Sequence, residues 1–180
     1  MYNLGEKIIE INKKKIGNGC EPYIVAEMSG NHNGKIENAF RLIKKAKESG
    51  ADAIKLQTYK ASTITINHDG PEFLIEGGLW DGRNLYDLYE EAHTPWEWHK
   101  DLFQYAREID ITIFSSPFDS TAIDLLEELN TPAYKIASPE IVDINLIKKA
   151  ASTGKPIIFS TGMASKEEIK DAIEAILSQN

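Results

Sequence analysis

Ala53-Ile54-Lys55-Leu56-Gln57-Thr58-Tyr59 is the stretch on which the fold turns. Its short apolar run has the pattern of a strand covered on both faces, as in a parallel sheet. Yet Lys55 places an ammonium, and Gln57 an amide, where such a strand would carry Val or Ile. A buried charge is costly unless an opposite charge meets it. Lys55 therefore has either a carboxylate of this chain as its partner or an anion from outside.

Upstream, residues 23–28 read as a first buried strand ending in Glu27, followed by the polar loop Ser29-Gly30-Asn31-His32-Asn33-Gly34. Ile36, Phe40, Ile43 and Ala46 then fall at helical spacing, and Gly50 stands where a C-terminal cap would end the helix. With residues 53–59 this makes a β-α-β unit. Ahead of it, residues 7–16 have two short apolar stretches around Asn12-Lys13-Lys14, which predict a small β-hairpin acting as a lid or plug.

Downstream, residues 60–93 break the rhythm with Gly77-Gly78-Leu79-Trp80-Asp81-Gly82-Arg83 and a short helix from Leu85 to Ala92. Loops this long inside a domain are usually functional. The next helix starts at Thr94-Pro95-Trp96-Glu97, read as a capping box with Thr94 as cap and Pro95 in the first turn. Strands follow at residues 111–116, 133–138 and 156–161, each succeeded by a helix, the last opened by a Ser165/Glu168 capping box. Five β-α repeats mean a parallel sheet covered by helices, either an open doubly wound sheet or part of an eight-unit barrel.

Every strand ends in polar residues: Glu27, then Lys55 and Gln57, then Ser115 and Ser116, then Lys135 and Ser138 with Glu140 beyond, then Ser160 and Thr161. In a parallel sheet these ends lie on one side, where α/β proteins place their sites. Lysines with hydroxyls suit a phosphate and a carboxylate on one small ligand. Glu27 and Glu140 suit hydroxyl binding or general-base work. The bland alternative is internal pairing of Lys55 with Glu27 and of Lys135 with Glu140. His32 stands in a strand-to-helix loop, where it could serve the ligand or the turn. His68, His93 and His99 lack metal-ligand spacing and read as surface or capping residues. Trp96 and Trp98 read as packing, whereas Trp80 and Arg83 could close over a substrate or meet another subunit.

The 180 residues are 42% hydrophobic and 27% charged, ordinary for a globular domain, and the formal charge of -8 argues against nucleic acid as a partner. The single Cys20, the lack of a signal-peptide pattern and the absence of any apolar run near ~20 residues point to a cytoplasmic chain with no membrane partner.

At these strand ends the sequence resembles the sialic acid synthases, which condense phosphoenolpyruvate with an N-acetylated sugar. The resemblance lies in residues 24–34, Lys55-Leu56-Gln57-Thr58, Phe114-Ser115-Ser116-Pro117-Phe118, residues 133–140, and Gly154-Lys155-Pro156 through Ser160-Thr161-Gly162-Met163. It implies a TIM-type barrel of which residues 23–180 would be the first five of eight β-α units, with residues 1–22 as a hairpin capping the barrel. By the same resemblance Lys55, Ser116, Lys135, Ser138 and Ser160 would hold phosphoenolpyruvate, and Glu27, Gln57 and Glu140 would face the sugar. The runs at residues 77–83 and 93–99 narrow the resemblance to a branch whose acceptor is 2,4-diacetamido-2,4,6-trideoxy-altropyranose. It also implies a divalent metal, manganese or magnesium, with no ligand in this chain, a C-terminal antifreeze-like domain that the chain lacks, and a homodimer at full length. Residues 1–180 are expected to be an N-terminal part, inactive alone. A Schiff-base aldolase using Lys135, and a non-catalytic half-barrel binding an anion or a partner chain, stand as alternatives.

Overall fold

The computed structural model describes residues 8–179. Two short strands come first, β1 (Ile9–Ile11) and β2 (Lys14–Ile16), paired antiparallel. The two residues between them, Asn12 and Lys13, have φ of 46° and 71°, the left-handed pair that a tight hairpin turn requires. Lys7, where the expected hairpin begins, lies outside the described residues.

The main body alternates β3 (Val25–Glu27), α1 (Ile36–Glu48), β4 (Ala53–Thr58), α2 (Ala61–Ile64), α3 (Leu85–Ala92), α4 (Trp96–Glu108), β5 (Thr112–Pro117), α5 (Ser120–Glu128), β6 (Tyr134–Ile136), α6 (Ile144–Ser152), β7 (Ile157–Phe159) and α7 (Lys166–Leu177). The five later strands form one parallel sheet in the order β3-β4-β5-β6-β7. A doubly wound sheet would reverse its order at a switch point. Unbroken sequential order is that of consecutive barrel units, and the sheet curls as a half-barrel with its helices outside. Among the described residues no helix is long and apolar enough to cross a membrane.

Strand alternation sorts the side chains into two sets. Ile54 and Leu56 of β4 and Ile113 of β5 face the helices, joining Ile43, Leu102, Phe103 and Leu126 in the main core. Ala53, Phe114 and Ala133 point to the concave face and form a second cluster with Ile11 of the hairpin. The hairpin therefore plugs the end of the half-barrel where the strands begin. Asn12 Nδ2 donates to Thr112 Oγ1 at 2.9 Å, and Lys14 pairs with Asp52, so polar contacts fasten the plug at its rim.

Three local expectations change. Residues 23–28 were expected to be buried, yet Ile24 is 54% exposed, because β3 pairs with β4 alone among the described strands. Thr94 was expected to cap α4, but Pro95 takes the cap position without a side-chain bond. The Thr94 hydroxyl is buried and lies 3.3 Å from His32 Nε2 instead. His99, expected at the surface, is fully buried within α4. The Ser165/Glu168 capping box of α7 forms as expected.

Ile11→Ala should destabilise the chain by about 3 kcal/mol, since the methyl groups it removes fill the end of the concave face. Urea unfolding of the two chains measures this, and a loss below about 1 kcal/mol would show that the hairpin is not a plug.

Candidate active site

The concave face changes character along the strands. Beside the hairpin it is apolar; one pleat higher it carries Lys55 and Lys135, and above these come Gln57, Ser116 and Ser160. The register places Gln57 opposite Ser116, so β4 and β5 deliver their polar ends at one level.

Lys55, with 15% of its side chain exposed, pairs with Glu27 and lies 3.5 Å from Ser116 Oγ. The first of the two internal pairs foreseen is therefore present. The second is not. Lys135 donates to Ser160 Oγ at 2.7 Å and to the Ile136 carbonyl at 2.8 Å, while Glu140 Oε2 is buried without a hydrogen-bond partner. Burial, and then the charge of Lys55, lower the Lys135 pKa below the ordinary lysine value, against the opposing pull of Glu27 and Glu140. Burial raises the Glu140 carboxyl above its usual range. An ammonium group whose charge is disfavoured by a second one, beside a carboxyl with an unused oxygen, is suited to an anion that also carries a hydroxyl. Ser138 starts the turn Pro139–Val142 that carries Glu140, and Thr161 lies exposed past β7.

A cleft of about 620 Å³ opens beside this set. Ser29, Asn31 and Gln57 line one side; Trp80, Leu88 and Tyr89 line the other. Ser29 Oγ donates to Gln57 Oε1 at 2.8 Å, and Ser29 N donates to Glu27 Oε1 at 3.0 Å, so the cleft and the lysine site share a wall. Gly77 and Gly78 adopt φ of 77° and 75°, a turn that brings Trp80 to the rim. Arg83 does not line the cleft; it pairs at 2.6 Å with Glu91, which does.

His32 lies beneath the loop that lines the cleft. It is fully buried, its Nδ1 accepts from Gly34 N at 3.1 Å, its Nε2 meets Thr94, and its ring stands edge-on to Trp98 at 5.4 Å. Burial lowers its pKa. It fastens the loop after β3 to the start of α4.

His99 anchors a second buried set that the sequence did not disclose. Its Nδ1 donates to the Pro95 carbonyl at 3.1 Å, which leaves Nε2 to accept from Thr58 Oγ1 at 2.9 Å. Thr58 has then given its only proton, so Ser115 donates to it, at 2.7 Å. The chain of three joins α4, β4 and β5 on the helix side of the sheet, behind Gln57 and Ser116. Burial pushes the imidazole pKa down to about 4.

Among the described residues no three His, Cys, Asp or Glu side chains gather as a metal site, and both buried histidines have their ring nitrogens engaged by protein groups.

Residues 42–180 match the model of the NeuB family. The chain is 57% identical over 152 residues to the pseudaminic acid synthase of Helicobacter pylori, covering 84% of this chain and 45% of that protein. It is 50% identical over 147 residues to the pseudaminic acid synthase of Campylobacter jejuni, covering 82% and 43%. Among solved structures it is similar to the N-acetylneuraminic acid synthetase of Leptospira borgpetersenii, with a TM-score of 0.83, 28% identity, and coverage of 97% of this chain and 56% of that one. The chain thus spans somewhat under half the length of the curated relatives named here.

Because the His99 pKa of about 4 lies below the free value of 6.5, the unfolded chain takes up this proton first as the solution is acidified. The contribution is intact above about pH 6.5 and is lost as pH falls toward 4, by on the order of 3 kcal/mol. His99→Gln keeps an acceptor for Thr58 but cannot titrate. Urea unfolding at pH 7 and pH 4.5 should show a smaller acid loss in the variant; equal losses would contradict a neutral buried imidazole.

Proposed function

We propose that this chain, which belongs to the NeuB family, carries the phosphoenolpyruvate-binding part of a pseudaminic acid synthase. One observation carries the reading: two inward ammonium groups, Lys55 and Lys135, sit with the Ser116 and Ser160 hydroxyls beside a sugar-sized cleft. Phosphoenolpyruvate brings a phosphate and a carboxylate on three carbons, which matches two cations and several hydroxyls on adjacent strand ends.

In the proposed reaction, C3 of phosphoenolpyruvate attacks the aldehyde carbon of open-chain 2,4-diacetamido-2,4,6-trideoxy-altropyranose and forms the new carbon–carbon bond. The aldehyde oxygen takes a proton, water adds at C2, and the C2–oxygen bond to phosphate breaks. The products are pseudaminic acid and phosphate. Lys55 and Lys135 offset the negative charge of the phosphate and carboxylate through these steps. Glu140, whose pKa burial raises, would protonate the aldehyde oxygen, and Glu27 and Gln57 would orient the sugar. A divalent metal, manganese or magnesium, would be held by groups outside those described, and no step here passes through it. A cytoplasmic homodimer completes the proposal.

An N-acetylneuraminate or legionaminate synthase is the alternative within the family. Identities of 57% and 50% to the two pseudaminic acid synthases, against 28% to the Leptospira synthetase, favour the first reading. The lowered pKa of Lys135 favours a different one, a Schiff-base amine. Borohydride with pyruvate should leave the mass of the chain unchanged; a trapped adduct would replace the synthase reading with an aldolase.

Calorimetry with phosphoenolpyruvate tests the anion site on the chain itself. Lys135→Gln should weaken binding by about 10- to 150-fold, the value of a charge-assisted hydrogen bond. The parent affinity should fall as pH rises through the lowered pKa of Lys135, and Lys135→Arg should bind without that alkaline decline. Absence of binding by the parent chain, or equal binding by Lys135→Gln, would refute the assignment.

A further inference from the structure

The cleft beside the lysine site is lined by two unlike sets of residues, one of which borders that site. On one wall Ser29, Asn31 and Gln57 offer amides and a hydroxyl. On the other, Trp80, Leu88 and Tyr89 offer apolar surface. No lysine, arginine or histidine lines the cleft, and its one carboxylate, Glu91, is neutralised by Arg83.

We propose that Trp80, Leu88 and Tyr89 are the specificity-determining wall for the sugar acceptor, taking a methyl-bearing edge of an uncharged amino sugar while the opposite wall hydrogen-bonds its hydroxyl and amide edge. The inference rests on the synthase reading above and assigns residues to its second substrate. About 620 Å³ is within the range of small-molecule sites. Gln57 stands in the cleft and on β4 two residues beyond Lys55, so a ligand lying along it reaches the anion site.

Two contacts between residues that line the cleft fix its width. A Cβ on Gly30 would come within 2.9 Å of the Ala92 carbonyl, so the loop after β3 is pressed against the end of α3. Tyr89 is set by an edge-on contact with the buried Tyr59 at 5.7 Å. A sugar hydroxyl turned toward Leu88 and Tyr89 would exchange water for carbon and gain nothing in return, whereas a methyl group there loses only unfavourable contact with water. A sugar phosphate would find no cation in the cleft.

Calorimetry on the whole chain, with phosphoenolpyruvate present, tests this with three probes: N-acetylmannosamine, its 6-deoxy analogue and its 6-phosphate. The 6-deoxy sugar should bind about 10-fold tighter than the 6-hydroxy parent, the discrimination one small group yields in an apolar pocket, and the 6-phosphate should not bind. Leu88→Ser should bring the first two within about twofold, while Leu88→Met keeps the preference; the phosphoenolpyruvate heat reports that each variant is folded. Equal binding of the first two sugars, tight binding of the phosphate, a preference that survives Leu88→Ser, or no sugar binding by a chain that binds phosphoenolpyruvate would each overturn the assignment. Failure of the parent chain to bind phosphoenolpyruvate is a different result, which removes the synthase reading on which the assignment rests.

Discussion

Strand alternation in a curled parallel sheet is the constraint from which the rest of this structure follows. It obliges every second residue of β4 through β7 to face the concave side. Near the start of the strands that side is filled by Ala53, Phe114 and Ala133 against Ile11 of the hairpin. One step higher the same alternation brings Lys55 and Lys135 inward, and neither can turn away without taking its strand's apolar residues out of the helix layer. Their electrostatic strain is therefore a property of the fold. It is relieved in part by Glu27 and Ser116 for Lys55, and by Ser160 and the Ile136 carbonyl for Lys135.

The asymmetry between the two lysines has a chemical consequence. Lys55 has a resident counter-ion in Glu27, and Lys135 has only neutral oxygens. An anion lying between them would find Lys135 uncompensated and Lys55 exchangeable. On taking over Lys55 it would leave Glu27 Oε2 able to accept from a hydroxyl in the cleft that Ser29 and Gln57 border.

Much of this was legible before any coordinates. Repeated β-α spacing, the capping box of α7 and the polar residues at five strand ends are local signals, and each names its position in the fold. What the sequence left hidden depends on partners far along the chain. Thr94 has the local signature of a helix cap, but His32, 62 residues away, holds its hydroxyl. Ser115 and Ser116 read as one polar pair, yet they face opposite sides of the sheet, one toward Thr58 and His99, the other toward Lys55. The apolar run at residues 23–28 promised burial, and pairing on one side alone among the described strands left Ile24 exposed. Leu88 and Tyr89 carry no signal beyond helical spacing, because a wall of a cleft and a face of a core use the same residues.

The buried His99–Thr58–Ser115 chain shows how the polar end of the sheet is braced without adding charge. The ends of β4 and β5 carry Gln57 and Ser116, whose relative position sets the geometry of the proposed anion site and the cleft together. An apolar contact behind them would leave the strand ends held by packing alone, and an ionised group there would add a field to one that already holds two ammonium groups. A neutral imidazole with both nitrogens engaged avoids both problems: it supplies directional bonds across two strands and one helix, and its pKa of about 4 keeps it uncharged at neutral pH. The brace and the site are thus electrically separate although they lie on adjacent residues of the same strands. That separation is available only because neighbouring residues of a strand face opposite sides.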